Sequence, residues 1–225
     1  MTDKPDLKQF ETLLAARHSC RGFLADQIDD AKITAIVAAA QRVPSWCNAQ
    51  PWQVIITRGE ATEGFRAAMA AAVQTAGHNA DIAFPAAYTG IYKDRRSVCG
   101  WQLYAVVGVQ KGDRAASTAQ MVENYRFFGA PHVAVITAPK NLGAYGVLDC
   151  GAFVTGFMLA AEAAGVASIA QAAVAGYSDQ VRSHFGIAED RNVVCVVSFG
   201  LRDEAHPANG FRTDRAAFEQ VIDWR

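Results

Sequence analysis

The sequence lacks the short motifs that mark the commoner enzyme classes. It has no G-x-G-x-x-G dinucleotide fingerprint and no G-x-x-x-x-G-K-[ST] phosphate loop. It has no G-x-S-x-G nucleophile elbow, and its five histidines show no H-E-x-x-H spacing. These absences argue against the commoner hydrolase and metalloenzyme routes, and we expect no metal site. What remains is chemistry that a bound cofactor could carry.

The sequence also lacks an excess of charge of one sign, and it lacks long uninterrupted apolar runs. Lysine and arginine number 21 against 22 aspartates and glutamates, which gives a net charge of -1. We therefore expect no nucleic-acid partner and no attraction to an anionic membrane. The most apolar stretch, residues 150–175, is broken by Glu162, and the N-terminus holds no apolar core of signal-peptide length. The sequence thus predicts no membrane span.

Cysteine is scarce and scattered. The residues are odd in number, and no two are spaced as C-x-x-C: Cys20, Cys47, Cys99, Cys150 and Cys195. This pattern predicts buried, reduced thiols in a cytoplasmic protein rather than a disulfide framework or a zinc site. Apolar residues are abundant, at 51% of the 225 residues against 19% charged, which is enough for a sizeable core.

Hydrophobic periodicity predicts many helices and few strands. We expect helices at 7–17, 30–41, 60–75, 114–127, 147–164 and 178–185. We expect buried strands at 52–57, 132–138 and 192–200, and loop with helix over 77–112. Ser178 is predicted to cap the last helix, and Gly165 to end the long one. Because strands and helices do not alternate as βαβ units, this order favours an α+β layered domain.

The first of three polar segments, "RHSCR", follows the first predicted helix. It places Arg17, His18, Ser19 and Arg21 within five positions. A guanidinium offers a fork of donors that matches phosphate oxygens, and the serine hydroxyl adds another donor. The alternative is a solvated basic turn at a helix C-terminus, where cations are favoured in any case.

The second segment, "VPSWCNAQPW", leads into the first predicted strand. Pro44 and Pro51 stiffen it. The amides of Asn48 and Gln50, beside Ser45, can donate and accept together, which suits a ring edge that bears both C=O and N–H. The alternative is a rigid loop whose amides satisfy its own backbone.

The third segment, "NGFRTDRAAFEQVIDW", forms the C-terminal region of the chain. It carries Arg212 and Arg215 ahead of an amphipathic end. These two cations extend the set that could hold an anion. The alternative is a surface turn leading into a docking helix.

Together the three segments resemble the FMN-dependent nitroreductase family. "RHSCR" matches the family's R-[RH]-S-x-[RK] motif, and "VPSWCNAQPW" matches its P-S-x-x-N-x-Q-P-W motif. "GLRDEAHPANGFRTDRAAFEQVI" resembles the family's ending, and "FPAAYTGIYKDRRSVCGWQLY" resembles the nitrobenzoate reductase-like subgroup. The resemblance implies one FMN-binding domain over residues 1–225, with a central, mostly antiparallel sheet flanked by helices. It also implies an intertwined homodimer with FMN at the interface.

The resemblance also implies roles for individual residues. The positions matching Arg17, His18 and Ser19 take the phosphate and ribityl chain, together with Arg215 and Arg212; many members carry a lysine where this chain has Thr213. Arg21 is implied near flavin N1 and O2, where negative charge gathers on reduction. The implied ring contacts are Pro44, Ser45 and Trp46 along the flavin, Asn48 and Gln50 from the partner subunit, and Gln171 with the backbone N–H groups of Ala172 and Ala173 near N5 and O4.

The implied reaction is ping-pong. NADPH or NADH delivers a hydride to the flavin, and a small nitroaromatic or quinone acceptor then takes the electrons, with no catalytic side chain required. Arg95 and Arg96 are candidates for contact with the extra phosphate of NADPH. Two alternatives stay open: another flavin reaction on the same fold (reductive dehalogenation, enone reduction or substrate oxidation), or a flavin-binding protein without turnover.

Overall fold

A four-stranded antiparallel sheet forms the centre of the computed structural model, which describes residues 6–225. The strands are β1 Gln53–Thr57, β2 His132–Pro139, β3 Ala167–Gln171 and β4 Arg191–Gly200. They lie in the order β1-β2-β4-β3, and each neighbouring pair is antiparallel. The predicted α+β class is therefore confirmed.

Within residues 6–225, eight α-helices surround the sheet. They are α1 Leu7–Ala16, α2 Asp30–Ala40, α3 Glu60–Thr75, α4 Gly90–Val106, α5 Arg114–Val122, α6 Gly143–Ala163, α7 Ala172–Ala175 and α8 Ser178–Phe185. Helix α3 has the predicted bounds, and α6 begins four residues earlier than expected. Gly165 follows the C-cap of α6 with φ +73°, a left-handed conformation that glycine adopts without strain.

Both faces of the sheet are covered, as the continuous apolar strands predict. Because side chains alternate along a strand, Ala134 and Ile136 of β2 face one side while Val133 and Val135 face the other. The first side packs against aromatic and aliphatic residues of α2 and α6: Ile33, Ile36, Phe153 and Phe157. The second packs against α3 and α8 through Phe65, Met69 and Val181. Full burial of each large side chain contributes about 1.5–3 kcal/mol.

Three expectations are corrected by the structure. Strand β3 was not predicted, because "ASIAQ" has one β-branched residue and owes its conformation to pairing with β4. The helix expected over 114–127 ends at Val122. Phe127 and Phe128, at the far end of the expected range, have positive φ angles, which a right-handed helix does not contain. Ser178 does not cap α8; its hydroxyl donates to the Ala175 carbonyl and accepts from the Asp81 N–H.

Much apolar surface remains exposed in the isolated chain. Helices α1, α4 and α5 contain no buried residue. Large side chains on α1 and α4 face outward, among them Leu7, Phe10 and Trp101. The C-terminal end forms a short 3-10 turn, Phe218–Gln220, rather than a docking helix, and Trp224 is 79% exposed. Exposed patches of this kind indicate an interaction surface.

The stretch Lys140–Ala163 is long and apolar enough, by length and composition alone, to cross a membrane. One face of it carries Phe153 and Phe157 into the core beneath the sheet. The core helix of a soluble protein passes the same test of length and composition. The opposite face exposes Leu148 and Tyr145.

Candidate functional site

The segment after α1 and the C-terminal segment meet at one cavity of about 780 Å³. Its lining includes six of the predicted residues: Arg17, His18, Ser19, Arg21, Arg212 and Arg215. The fold therefore joins two motifs that lie at opposite ends of the sequence. The cavity volume falls within the range of about 300–1,000 Å³ typical of small-molecule sites.

Backbone pairing fixes the first segment to the sheet, and one asparagine ties it to the C-terminal segment. Ser19 forms a parallel bridge with Ser168 of β3, and the Cys20 N–H donates to the Ser168 carbonyl over 3.1 Å. The buried Asn209 side chain accepts from the Arg21 N–H at 2.7 Å and donates to the Gly22 carbonyl at 2.9 Å. Sequence reasoning missed Asn209, because an Asn-Gly pair is most simply interpreted as a turn.

Gly22 permits the close approach of the C-terminal segment. A Cβ atom at this position would lie 2.3 Å from Cγ of His206, which is closer than carbon atoms approach without displacement. Glycine is therefore required here by space rather than by backbone angle.

The cavity carries uncompensated positive charge. None of its four guanidiniums is within salt-bridge distance of a carboxylate in the described chain. Arg21 donates to the Ser19 carbonyl at 3.4 Å, Arg212 to the Asn209 carbonyl at 2.9 Å, and Arg215 to the Thr213 hydroxyl at 2.9 Å. Glu11 is the one acidic residue in the described lining. Guanidiniums bonded only to neutral oxygens retain donors for an anion such as phosphate.

His18 lines this cavity and has one ring nitrogen without a hydrogen-bond partner in the described chain. The residue is 8% exposed, and its Nδ1 lies 2.9 Å from the Ala16 carbonyl. Burial lowers the pKa of His18, as do the nearby cations Arg202 and Arg212, while the Ala16 bond opposes them. The neutral ring then donates from Nδ1, an assignment made from the hydrogen bond. Its Nε2 has no partner within residues 6–225 and suits a hydroxyl donor of a ligand.

Arg21 is half-buried, as Arg17 is, whereas Arg212 and Arg215 are exposed. Burial lowers the pKa of the Arg21 guanidinium, and the thiols of Cys99 and Cys20 partly oppose this effect. Cys99, on α4, lines the same cavity. A partly buried cation in this setting interacts more strongly with an anion than one in free solvent.

The loop of the second motif lies on a different surface. Pro44, Ser45 and Trp46 line a groove beside α6. The Trp46 N–H donates to both carboxylate oxygens of Asp149, at 3.1 and 3.2 Å, and the Trp46 ring lies 5.2 Å from that of Tyr145. The two motifs that carry the arginines therefore lie on one surface of the chain, and the motif that carries the tryptophans lies on another.

Left-handed backbone angles distinguish this loop. Cys47, Asn48 and Gln50 have φ of 50°, 55° and 48°. Such angles in non-glycine residues cost of the order of 1–3 kcal/mol each and persist where the surrounding structure enforces them, often at functional sites. The loop is therefore held in a specific, strained shape.

Asn48 and Gln50 are exposed and line neither the cavity nor the groove. Gln50 follows the alternative interpretation, since its Nε2 donates to the Asn48 carbonyl at 3.2 Å and its N–H donates to the Ser45 hydroxyl at 3.0 Å. The side-chain amide of Asn48 makes no hydrogen bond within residues 6–225. The role of both amides at a ring edge stays a prediction.

Gln171, Ala172 and Ala173 lie where β3 ends and α7 begins, outside the lining of the cavity. The Gln171 side chain is buried and already engaged, because Nε2 donates to the Asn124 carbonyl at 2.7 Å and Oε1 accepts from the Ser198 hydroxyl. Only the backbone of this segment is available to a ligand. Ala172 and Ala173 are at least partly exposed, as that role requires.

The remaining candidates give two further observations. Arg95 donates to Gln220 at 3.1 Å and Arg96 lies over the Tyr88 ring, so neither lines the cavity. All five cysteines are free thiols, but Cys47 is exposed and Cys99 and Cys195 are half-buried, so the expectation that all are buried is wrong. In residues 6–225, no cluster of three His, Cys, Asp or Glu could hold a metal ion.

The antiparallel α+β fold brings together a cavity whose four guanidiniums have no carboxylate partner within residues 6–225, and such a cavity suits a small anionic ligand. Comparison with known proteins identifies the family to which the chain belongs. The model of the Nitroreductase family matches residues 14–201, and the chain belongs to the nitroreductase family. The family predicted from the three motifs is therefore confirmed.

Individual relatives agree over nearly the whole chain. Nitroreductase NfnB of Mycolicibacterium smegmatis is 33% identical over 214 residues, covering 94% of this chain and 90% of that protein. A 4-nitrobenzoate reductase of Pseudomonas putida is 29% identical, covering 92% and 91%. The crystal structure of the FMN-dependent nitroreductase NfnB from Mycobacterium smegmatis in complex with NADPH has a TM-score of 0.93 at 32% identity, covering 98% of this chain and 100% of that one. The predicted nitroreductase-like fold is confirmed by this match.

Proposed function

We propose that this protein is an FMN-dependent oxidoreductase that uses NADPH or NADH to reduce a nitroaromatic or quinone acceptor. Its family and two of its relatives support this function: one is described as FMN-dependent and in complex with NADPH, and the other as a 4-nitrobenzoate reductase. The observation that carries the proposal is the cavity in which four guanidiniums lack a carboxylate partner within the described chain.

FMN fits the donors and acceptors of this cavity. A phosphate monoester carries close to two negative charges, which Arg17, Arg212 and Arg215 can pair with while the Ser19 hydroxyl donates. The free Nε2 of His18 accepts from a ribityl hydroxyl. When bound, FMN supplies hydride chemistry that no side chain of the site can provide. The protein's part is to bind and orient it.

Arg21 has a separate role in this proposal. Its backbone is fixed by Asn209, and its guanidinium is enclosed beside Cys99. At the pyrimidine edge it provides a preorganised positive charge near N1 and O2, so that negative charge gathered there is stabilised without rearrangement. The backbone N–H groups of Ala172 and Ala173, next to Gln171, supply donors at N5 and O4.

A homodimer completes the ring-binding part of the site. Support comes from the groove along α6, lined by Pro44, Ser45 and Trp46, where Trp46 is 63% and Leu148 66% exposed. Obligate homodimers bury more than about 2,000 Å², and such apolar surface is the usual material. In the dimer, Asn48 and Gln50 contact the flavin of the partner subunit, which gives a reason for their strained backbone.

The proposal also includes the domain organisation of the chain and the location of the protein in the cell. The chain, residues 1–225, acts as one FMN-binding domain. Five free thiols fit the reducing cytoplasm.

Anaerobic mixing tests the proposed activity. The purified protein is expected to be yellow with about one FMN per chain, to bleach when NADPH or NADH is added, and to recover its colour when 4-nitrobenzoate or a quinone follows. Yellow protein that neither nucleotide bleaches would support a flavin-binding protein without turnover. Bleached protein that reoxidises with an enone or a halogenated acceptor, but with no nitroaromatic or quinone, would support another flavin reaction.

A further inference from the structure

Two charged side chains bind the loop 45–51, which carries the second motif, at its two ends. At the start of the loop, Asp149 of α6 accepts from the Trp46 N–H with both carboxylate oxygens, at 3.1 and 3.2 Å. At its end, Arg191 of β4 donates from Nη2 to the Pro51 carbonyl at 3.0 Å. Both anchors bond to the backbone of the loop and not to its side chains, so they act on its conformation.

Neither anchor has a partner of opposite charge within residues 6–225. Asp149 is 7% exposed, and in the described chain its carboxylate accepts hydrogen bonds from Trp46 alone. Arg191 is half-buried, and its other donors bond to the hydroxyl and carbonyl of Thr137, each at 2.9 Å. Hydrogen bonds to charged groups are stronger than neutral ones, whereas burial of an unpaired charge is costly. The contact with the loop gives a reason for the buried carboxylate of Asp149.

The backbone between the two anchors needs support from outside the loop. Cys47, Asn48 and Gln50 have positive φ angles, and strain of this kind persists only where the surrounding structure enforces it. Inside the loop, the Asn48 N–H donates to the Ser45 carbonyl and the Gln50 N–H to the Ser45 hydroxyl, both at 3.0 Å. These bonds close the turn but do not attach it to the rest of the protein. The two anchors provide that attachment.

Helix α6 holds Trp46 by its ring as well as by its backbone. Tyr145 and Asp149 are four residues apart and therefore lie on the same face of the helix. The Tyr145 ring lies 5.2 Å from the Trp46 ring, beside the hydrogen bond that Asp149 makes. Asn48 and Gln50 follow Trp46 by two and four positions, so their placement depends on how Trp46 is held.

We propose that Asp149 and Arg191 are positioning residues, which hold the loop 45–51 in the shape in which Asn48 and Gln50 contact the flavin of the partner subunit. The inference rests on the proposed function, which assigns those two amides to the flavin ring. Each anchor acts through the backbone of the loop and not by contact with the flavin. Because the loop contacts the ring and not the phosphate, loss of an anchor affects FMN and riboflavin alike.

Flavin titration of the full-length protein, followed by flavin fluorescence, tests the inference. Asp149→Ala removes both acceptor oxygens, whereas Asp149→Asn keeps one. Thr62→Val is the matched control, because the buried Thr62 hydroxyl bonds only to Thr57 and to the Pro131 carbonyl in the described chain, and neither residue belongs to the loop. Circular dichroism and light scattering establish that each variant is folded and has the mass of the wild type.

Asp149→Ala is expected to weaken FMN and riboflavin binding by the same factor, roughly tenfold, and Asp149→Asn to restore most of the loss. Arg191→Lys, which keeps the charge and loses the fork, should weaken both flavins by a smaller common factor. Thr62→Val should lower the free energy of unfolding and leave both affinities unchanged. Wild-type affinities in Asp149→Ala, weaker binding of FMN alone, or equal weakening in Thr62→Val overturns the inference.

Amide hydrogen exchange of the flavin-free protein gives a second readout. Peptides that cover residues 45–51 should exchange faster in Asp149→Ala than in the wild type, and at the wild-type rate in Thr62→Val. If the wild type binds neither flavin, that result contradicts the proposed function instead. Exchange then decides on the anchors: faster exchange in Asp149→Ala supports their positioning role, and an unchanged rate overturns it. If Asp149→Ala does not fold, Arg191→Lys is judged by the same two measurements.

Discussion

The backbone N–H of Arg21 donates to the side-chain oxygen of Asn209 over 2.7 Å, although 188 positions separate the two residues. The other end of the same amide donates to the carbonyls of Gly22 and Asp203, each at 2.9 Å. One buried side chain thus ties the N-terminal motif to the C-terminal one. Two of these three bonds, those to Arg21 and Gly22, join the two walls of the cavity.

Asn209→Ala is expected to lower both stability and FMN affinity. The change leaves the Arg21 N–H and the Gly22 carbonyl without their partner, and an unsatisfied buried group costs about 1–3 kcal/mol. Denaturant unfolding of apo protein and FMN titration check the two effects. Asn209→Asp, which keeps the acceptor and loses the donors, serves as a matched control. Its stability and FMN affinity should lie between those of the wild type and those of Asn209→Ala. An Ala variant with wild-type stability would show that the tie is dispensable.

Arg21→Ala is expected to lower the flavin midpoint potential and slow hydride uptake roughly tenfold to a hundredfold, since a charge-assisted bond is worth about 1.5–3 kcal/mol. Arg21→Lys, which keeps the charge and loses the fork, should be milder. Arg215→Ala should weaken FMN binding and leave the potential of bound flavin nearly unchanged. Redox titration with excess FMN measures this. An unchanged potential in Arg21→Ala, with a shift in Arg215→Ala, would mean that the two roles are reversed.

Stability is expected to fall as the pH drops below about 6.5, the ordinary value for histidine. His132 is buried, with Nδ1 at 3.0 Å from the Thr57 carbonyl and Nε2 accepting from the Ile28 N–H. Burial lowers its pKa, so the unfolded chain takes up a proton before the folded one does. The contribution of His132 to the free energy of unfolding is therefore at its maximum above pH 6.5. It decreases as the pH falls from there towards the lowered pKa.

Urea unfolding at several pH values, for the wild type and His132→Gln, checks this dependence. The variant should be less stable at neutral pH, because glutamine does not reproduce both ring contacts, yet lose less stability on acidification. The pKa of His18 is lowered too, so some acid dependence remains in the variant. If the free energy of unfolding changes with pH identically in the two proteins, His132 does not contribute to the acid dependence of stability.

Leu148→Glu is expected to disrupt the homodimer and with it the retention of flavin. The residue projects from the exposed face of α6 into the groove beside Trp46, where a buried carboxylate would lack a partner. Met121→Glu, an exposed apolar position on α5 outside that groove, is the matched control. Light scattering gives the mass of each. A monomeric mass for active, flavin-loaded wild type would contradict the dimer.

Sequence reasoning found the residues of the cavity but not the means of their assembly. Arg17 and Arg215 could be named because guanidinium donors in short motifs have a direct chemical interpretation. Asn209 could not, because its role depends on a partner 188 positions away. Strand β3 was missed for a similar reason, since its conformation comes from pairing with β4 rather than from its own residues.

The second motif shows a different limit. Its polar and aromatic composition indicated a binding loop, and the left-handed angles at Asn48 and Gln50 agree that its shape is constrained. Within one chain, however, the loop lies away from the cavity. The proposed homodimer accounts for this separation, because a second subunit would bring its own loop to the cavity of the first.

The central claim is that the cavity holds FMN by its phosphate, and a comparison of FMN with riboflavin tests it most directly. Riboflavin has the same ring and ribityl chain without the phosphate. Wild-type apo protein, titrated by flavin fluorescence, should bind FMN far more tightly than riboflavin. Arg17→Ala should weaken FMN binding by roughly tenfold to a hundredfold and leave riboflavin binding nearly unchanged. Arg126→Ala, a surface arginine paired with Glu123, should change neither. Equal affinity for the two flavins in the wild type, or equal weakening of both by Arg17→Ala, would contradict the account.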